Sequence, residues 1–81
     1  MTEEEKKQDL LTAHNFIMDL WKFMKTNYFV SSDPAYWVRV IHDGNEILAK
    51  HKSDSQYQLF KRLVFACIDD WEKQLRKEGE Q

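Results

Sequence analysis

Three histidines and one cysteine, His14, His42, His51 and Cys67, are the side chains of this chain best suited to holding a metal. A tetrahedral site needs three or four converging ligands, commonly announced by paired spacings. No pair here is spaced as in CxxC or HxxxH, and the four lie far apart along the chain. No metal site is expected; His14 and His51 are read as edging the core, His42 as facing solvent. The run His42-Asp43-Gly44-Asn45-Glu46 raises the idea of a cation loop, but a calcium loop requires oxygen ligands at several fixed positions closed by a glutamate twelve residues in. That pattern is absent. Asp69-Asp70 is a carboxylate pair in sequence only, because adjacent residues on a helix do not face each other. Ser31, Ser32, Ser53 and Ser55 fall in stretches that suit helix caps, which accounts for them without nucleophilic chemistry. Cys67 lies in an apolar stripe, where a thiol is ordinarily inert. These residue types therefore point to no catalytic residue, no cofactor and no small-molecule substrate.

The elements around these residues turn on "AYWVRVIHDGNEILAKH", residues 35–51. Asp43-Gly44 between apolar runs is a hairpin signal. A hairpin, however, needs alternation on both sides, and Trp37-Val38, Val40-Ile41 and Ile47-Leu48 are adjacent apolar pairs. Read as a helix, Trp37, Val40, Ile41, Gly44, Ile47, Leu48 and His51 share one face at i, i+3, i+4, i+7, i+10, i+11 and i+14. Gly44 then sits where another helix must come close. Asp33 as N-cap and Pro34 at the first helical position start this helix at residue 34.

Two further helices flank it. Thr2 with Glu5 has the form of a capping box, yet the polar opening is expected to fray, so the firm first helix is placed over 9–29. Its apolar residues cover roughly two-thirds of the circumference, against the ~100° stripe of an ordinary surface helix. The centre of that stripe is read as Leu10, Ala13, Ile17, Leu20, Met24 and Tyr28, with Phe16 and Phe23 on one edge and His14 and Trp21 on the other. The third helix is placed over 55–77, capped by Ser55 with Gln58, and carries Phe60, Leu63, Val64, Cys67, Ile68, Trp71 and Leu75 on one stripe. Short joints make sequential helices antiparallel. The expected fold is all-α: a compact three-helix bundle over 9–29, 34–51 and 55–77 in a single domain, 1–81, with 1–8 and 78–81 frayed.

Composition agrees. Only Gly44, Gly79 and Pro34 are present among 81 residues to serve turns, whereas all-β domains draw heavily on both types. A chain this short buries only about 60–65% of its unfolded surface, and one cysteine allows no internal disulfide. Its 42% hydrophobic and 14% aromatic content must compensate. A net charge of −2 is not the basic excess of a dedicated nucleic-acid binder. No secretory leader opens the chain and no apolar run approaches the ~20 residues that cross a bilayer. A cytoplasmic protein is the resulting expectation, and a lone thiol suits a reducing compartment.

Apolar residues left over from the stripes are the clearer functional signal. Leu11, Met18, Phe29, Val38 and Phe65 lie at the outer edges of their helices, and exposed apolar surface on a small protein marks interfaces. They are the candidate protein interface, for a homodimer or for another protein. Lys50, Lys52, Lys61 and Arg62 gather around the second joint and form the alternative, a nucleic-acid-binding regulator whose affinity would fall with salt.

The stretches "NFIMDLWKFMKTNYFVSSDPAYWVRVIHDGNEILAKHK" and "LVFACIDDWEKQLRK" resemble small uncharacterised three-helix proteins of Firmicutes genomes, phages and mobile elements. The likeness lies in a Phe/Trp-rich first helix, Tyr-Trp after an Asp-Pro cap, and a third helix ending in an aromatic-Glu-Lys run. It implies the three-helix fold and an accessory or inhibitory role exerted by binding a host protein. It carries no catalytic residue over, and Gly44 departs from the alanine or polar residue of that pattern.

Overall fold

The computed structural model describes residues 1–79. Three helices follow one another: α1, Glu3–Asn27; α2, Pro34–Lys50; α3, Tyr57–Gly79. All three helix pairs are in contact and no strand occurs among the described residues. The protein is an all-α three-helix bundle. Residues 80 and 81, part of the stretch expected to fray, lie outside the described residues.

Each start follows from local chemistry. Thr2 accepts a hydrogen bond from the Glu5 amide at 3.1 Å, and Glu3, Glu4 and Glu5 place negative charge on the positive end of the helix dipole. Helix α1 therefore begins at Glu3, six residues before the position set by polarity alone. Asp33 accepts from the Ala35 amide at 2.9 Å, with Pro34 at the first helical position. Helix α3 starts at Tyr57, two residues later than expected. Chain turns occupy 51–56, with the Asp54 amide bonded to the His51 carbonyl and the Tyr57 amide to the Asp54 carbonyl. No capping bond from Ser55 forms among the described residues; the start is set instead by these backbone turns and by the Phe60 amide on the Gln56 carbonyl at 3.0 Å.

Gly44 lies inside α2 with ordinary helical backbone, so Asp43-Gly44 is no turn. A Cβ built there would stand 3.3 Å from Val64 Cγ1 of α3, 3.7 Å from Ile68 Cδ1 and 3.8 Å from Phe23 Cζ of α1. The missing side chain thus spares a tight contact with Val64 of α3, while Ile68 and Phe23 stand at ordinary contact distance.

The core comprises Phe16, Leu20 and Phe23 from α1, Tyr36, Val40 and Leu48 from α2, and Phe60, Val64, Ile68 and Trp71 from α3. Phe16 and Phe60 stack in parallel at 4.0 Å. On α3 this is the expected face. On α2 Val40, Gly44 and Leu48 are buried as expected, but Ile41 is exposed and Tyr36, outside the expected face, is in the core. On α1 the face is not the expected one. The inward line is Phe16, Leu20, Phe23 and Asn27, while Leu10, Ile17 and Tyr28, placed at the stripe's centre by apolar content, are exposed, as are Trp21 and His14. The helix is rotated from its apolar average, and in this rotation two of its polar groups, Asn27 and Asp19, meet partners on α2 and its C-cap.

Candidate functional site

Two polar clusters tie α1 to the two ends of α2. At the far end, His51 caps α2 and is buried. Its Nε2 lies 2.9 Å from Asp19 Oδ2 of α1, and its Nδ1 faces Asp54 Oδ2 at 2.7 Å. The ring edge meets Phe16 and Phe60 at 5.4 and 5.3 Å between centroids. Lys50 Nζ adds an ammonium contact to Asp19 at 2.9 Å. Burial, the largest single influence on Asp19, pushes its carboxyl upward. The hydrogen bonds and charges of His51 and Lys50 together outweigh it, so the group is held below the usual carboxylate range. Two carboxylates thus face the two ring nitrogens, one on each side of the imidazole.

An Asp-His-Asp array invites comparison with acid–base machinery, where a histidine keeps one nitrogen toward the reacting group. Here neither nitrogen is left over. The cluster is a bolt between α1, the end of α2 and the second joint.

At the near end, Asn27 is fully buried at the last turn of α1. Its Nδ2 donates to the Phe23 carbonyl at 3.0 Å and makes a long 3.5 Å contact to Asp43 Oδ2; its Oδ1 accepts from Arg39 Nε at 3.0 Å. Tyr36 Oη donates to the Asn27 carbonyl at 2.7 Å, satisfying one of the carbonyls a helix end leaves without a partner. Arg39 also lies over the Tyr36 ring at 5.5 Å.

A third cluster sits on the surface. One ligand atom each from His42, Asp43 and Glu46 lie within 4.8 Å of one another, and His42 Nε2 is 3.1 Å from Glu46 Oε1. The i,i+4 spacing of His42 and Glu46 is the sequence signal for this meeting. Both are paired already on an open helix face, and Asp43 leans on Asn27.

The five residues of the candidate interface are all exposed, but they do not form one patch. Leu11 and Met18 share a line on α1, seven residues apart. Phe29 projects from the first joint, Val38 lies on the outer side of α2 and Phe65 on the outer side of α3. What the sequence reading missed lies beside Leu11 and Met18: Leu10, Ile17, Trp21 and Tyr28 are exposed along one side of α1, with the exposed His14 between the first two. The signal was available, since two lines of alternating three- and four-residue steps run along this helix, one through Phe16 and one through Leu10.

Of the basic residues, Lys50, Lys52, Lys61 and Arg62 are all exposed. Lys50 is engaged by Asp19, and Lys61 lies 6.0 Å from the Phe65 ring centroid. Lys61 and Arg62, adjacent on α3, diverge by the ~100° step of a helix.

Fold and side chains together define the class: a three-helix bundle with two polar clusters joining its helices and a first helix that presents exposed apolar side chains. No helix among the described residues is long and apolar enough to cross a membrane. No protein-family model matches the chain, and neither a curated protein nor a solved structure matches it.

Proposed function

We propose that this chain is a small protein-interaction module, acting by occupying a protein surface rather than by transforming a substrate. The observation that carries the reading is the apolar stripe of α1, which the bundle's own core leaves to solvent. Contiguous exposed apolar surface of this kind is uncommon on small proteins unless something covers it. The bonding of His51 adds support, because both ring nitrogens are committed to carboxylates of the chain itself. An accessory or inhibitory role, as in the mobile-element proteins the sequence resembles, belongs to the same reading.

The test is a photo-crosslinking amino acid introduced at Leu11, on the stripe's flank, and separately at Lys73, on the outer face of α3, in the cell that makes the protein. Protein adducts from position 11 and few from position 73 support the reading. Absence of protein adducts from position 11 refutes it.

A further inference from the structure

Leu10, His14, Ile17, Trp21, Met24 and Tyr28 follow one another along α1 in steps of four, three, four, three and four residues. This is the apolar repeat of a helix packed lengthwise against another helix. Of these six the bundle uses only Met24, half-buried against the core. Its inward line lies roughly 110° away around the helix, and Leu10, Ile17, Trp21 and Tyr28 remain 71%, 49%, 54% and 59% exposed.

We propose that the surface covering this stripe is a second copy of the chain, its α1 laid antiparallel on the first. The inference rests on the protein-interaction reading above and names the partner. The argument is the order of residues on the stripe's outer flank: Glu4, Leu11, Met18 and Lys25, at seven-residue steps. Reversed against itself, this flank sets Glu4 opposite Lys25 of the second copy and Leu11 opposite Met18, and two-fold symmetry repeats both pairings. Acid meets base at each end, and apolar meets apolar in the middle. In the same register Leu10 comes opposite Trp21 and His14 opposite Ile17 along the seam. A parallel pair would instead set Glu4 against Glu4 and Lys25 against Lys25, a repulsion at both ends. Neither Glu4 nor Lys25 forms an ion pair within the chain among the described residues, so both charges are available. The antiparallel arrangement also brings the acidic first turn of each α1 toward the basic last turn of the other.

Sedimentation equilibrium of the full chain, from about 1 µM to about 500 µM, tests this. The expected result is a mass rising from monomer to dimer. Trp21→Glu should weaken association by at least about tenfold, as loss of a central tryptophan does. Its helical circular dichroism and melting at low concentration should match the parent, because Trp21 lies outside the core. Glu4→Lys and Lys25→Glu should each weaken the dimer several-fold, and the double variant should recover the parent constant. A monomer throughout overturns the inference, and so does a dimer indifferent to Trp21→Glu. Failure of the double exchange to recover what the single exchanges lose overturns the antiparallel register. A monomer that still gives crosslinks to another protein at position 11 overturns this inference alone and leaves the interaction reading standing.

Discussion

His51 Nε2 lies 2.9 Å from Asp19 Oδ2, joining the last residue of α2's cap to the middle of α1 across 32 positions of sequence. The carboxylate is largely shielded and the ring is buried. The contact therefore does more than a surface ion pair, whose median worth is about 0–1 kcal/mol. It also fixes rotation: with Asp19 turned to His51, Phe16 and Leu20 point inward and Ile17 and Trp21 point out.

Replacing His51 by alanine removes both carboxylate contacts and the ring packed against Phe16 and Phe60. The expected loss is about 2–4 kcal/mol, and the Asp19 carboxylate is left half-partnered. For a domain of this size each kcal/mol corresponds to roughly 4–8 °C in Tm. Thermal circular dichroism should show a drop of at least about 8 °C; a change within 2–3 °C would mean the cluster is incidental.

Acid should reveal Asp19. Its folded carboxyl is held below the ordinary value of 3.8, so the unfolded chain binds the proton more readily. Stability contributed by this group is present above the unfolded pKa and is lost as pH falls through the folded one. Wild type should thus exceed Asp19→Asn in stability at pH 7, and the gap should narrow steadily below about pH 4. Urea midpoints at a series of pH values measure it. A gap that widens toward acid would contradict the assignment.

Tyr36→Phe isolates the other polar cluster. The phenol is buried and donates to the Asn27 carbonyl at 2.7 Å. Removing the hydroxyl leaves that carbonyl unpartnered while the ring still fills its place, at a cost of about 1 kcal/mol. Asn27→Leu should cost more, because Arg39 Nε loses its acceptor and the Phe23 carbonyl its extra donor. Chemical denaturation of the two variants gives the order directly.

Much of this architecture was legible locally. Asp33-Pro34 starts α2, and the pairs of adjacent apolars around Asp43-Gly44 rule out alternation; each signal is confined to a few residues. Thr2 also starts α1, against the expectation that residues 1–8 fray. The rotation of α1 was not legible in the same way. Apolar residues cover so much of that helix that an average over them cannot say which third is buried, and the deciding partners of Asp19 and Asn27 lie 32 and 12–16 residues away. The buried asparagine in line with Phe16, Leu20 and Phe23 was the available hint, but a polar residue reads as surface until its partners are known. For the same reason the later start of α3 was hidden: Asp54, which suits a cap, directs its carboxylate to His51. Apolar pattern marks Leu11 and Met18 as surplus, but it does not separate the neighbouring Leu10, Ile17, Trp21 and Tyr28 from the core.

Cys67 should be a slow nucleophile. Burial pushes its thiol pKa above the ordinary value of 9.0, and the nearby Asp70 carboxylate pushes it further the same way. The thiolate fraction at pH 7.5 is therefore smaller than that of an unstructured cysteine, and alkylation should run at least several-fold slower in the folded protein than in urea. Iodoacetamide labelling followed by mass spectrometry tests it. Equal rates in the two states would show that the site opens freely.

Gly44 offers the sharpest contrast between two substitutions. Alanine gains about 1 kcal/mol of helix propensity over glycine. Its Cβ would meet Val64 Cγ1 at 3.3 Å, tight enough that the valine must give by a few tenths of an ångström. The two effects are of similar size, so Gly44→Ala should lie within about 1 kcal/mol of the parent. Gly44→Leu has no such balance. Its additional atoms enter the space held by Val64, Ile68 and Phe23, and overpacking of a closed core costs about 1–3 kcal/mol or more. Leucine is nearly as good a helix former as alanine, so propensity cannot explain a difference between the two variants. A destabilised Gly44→Leu beside a near-neutral Gly44→Ala would locate the effect in the distance between α2 and α3. Equal stability of both would mean that the helices can separate there at little cost, and that the glycine does not set their approach.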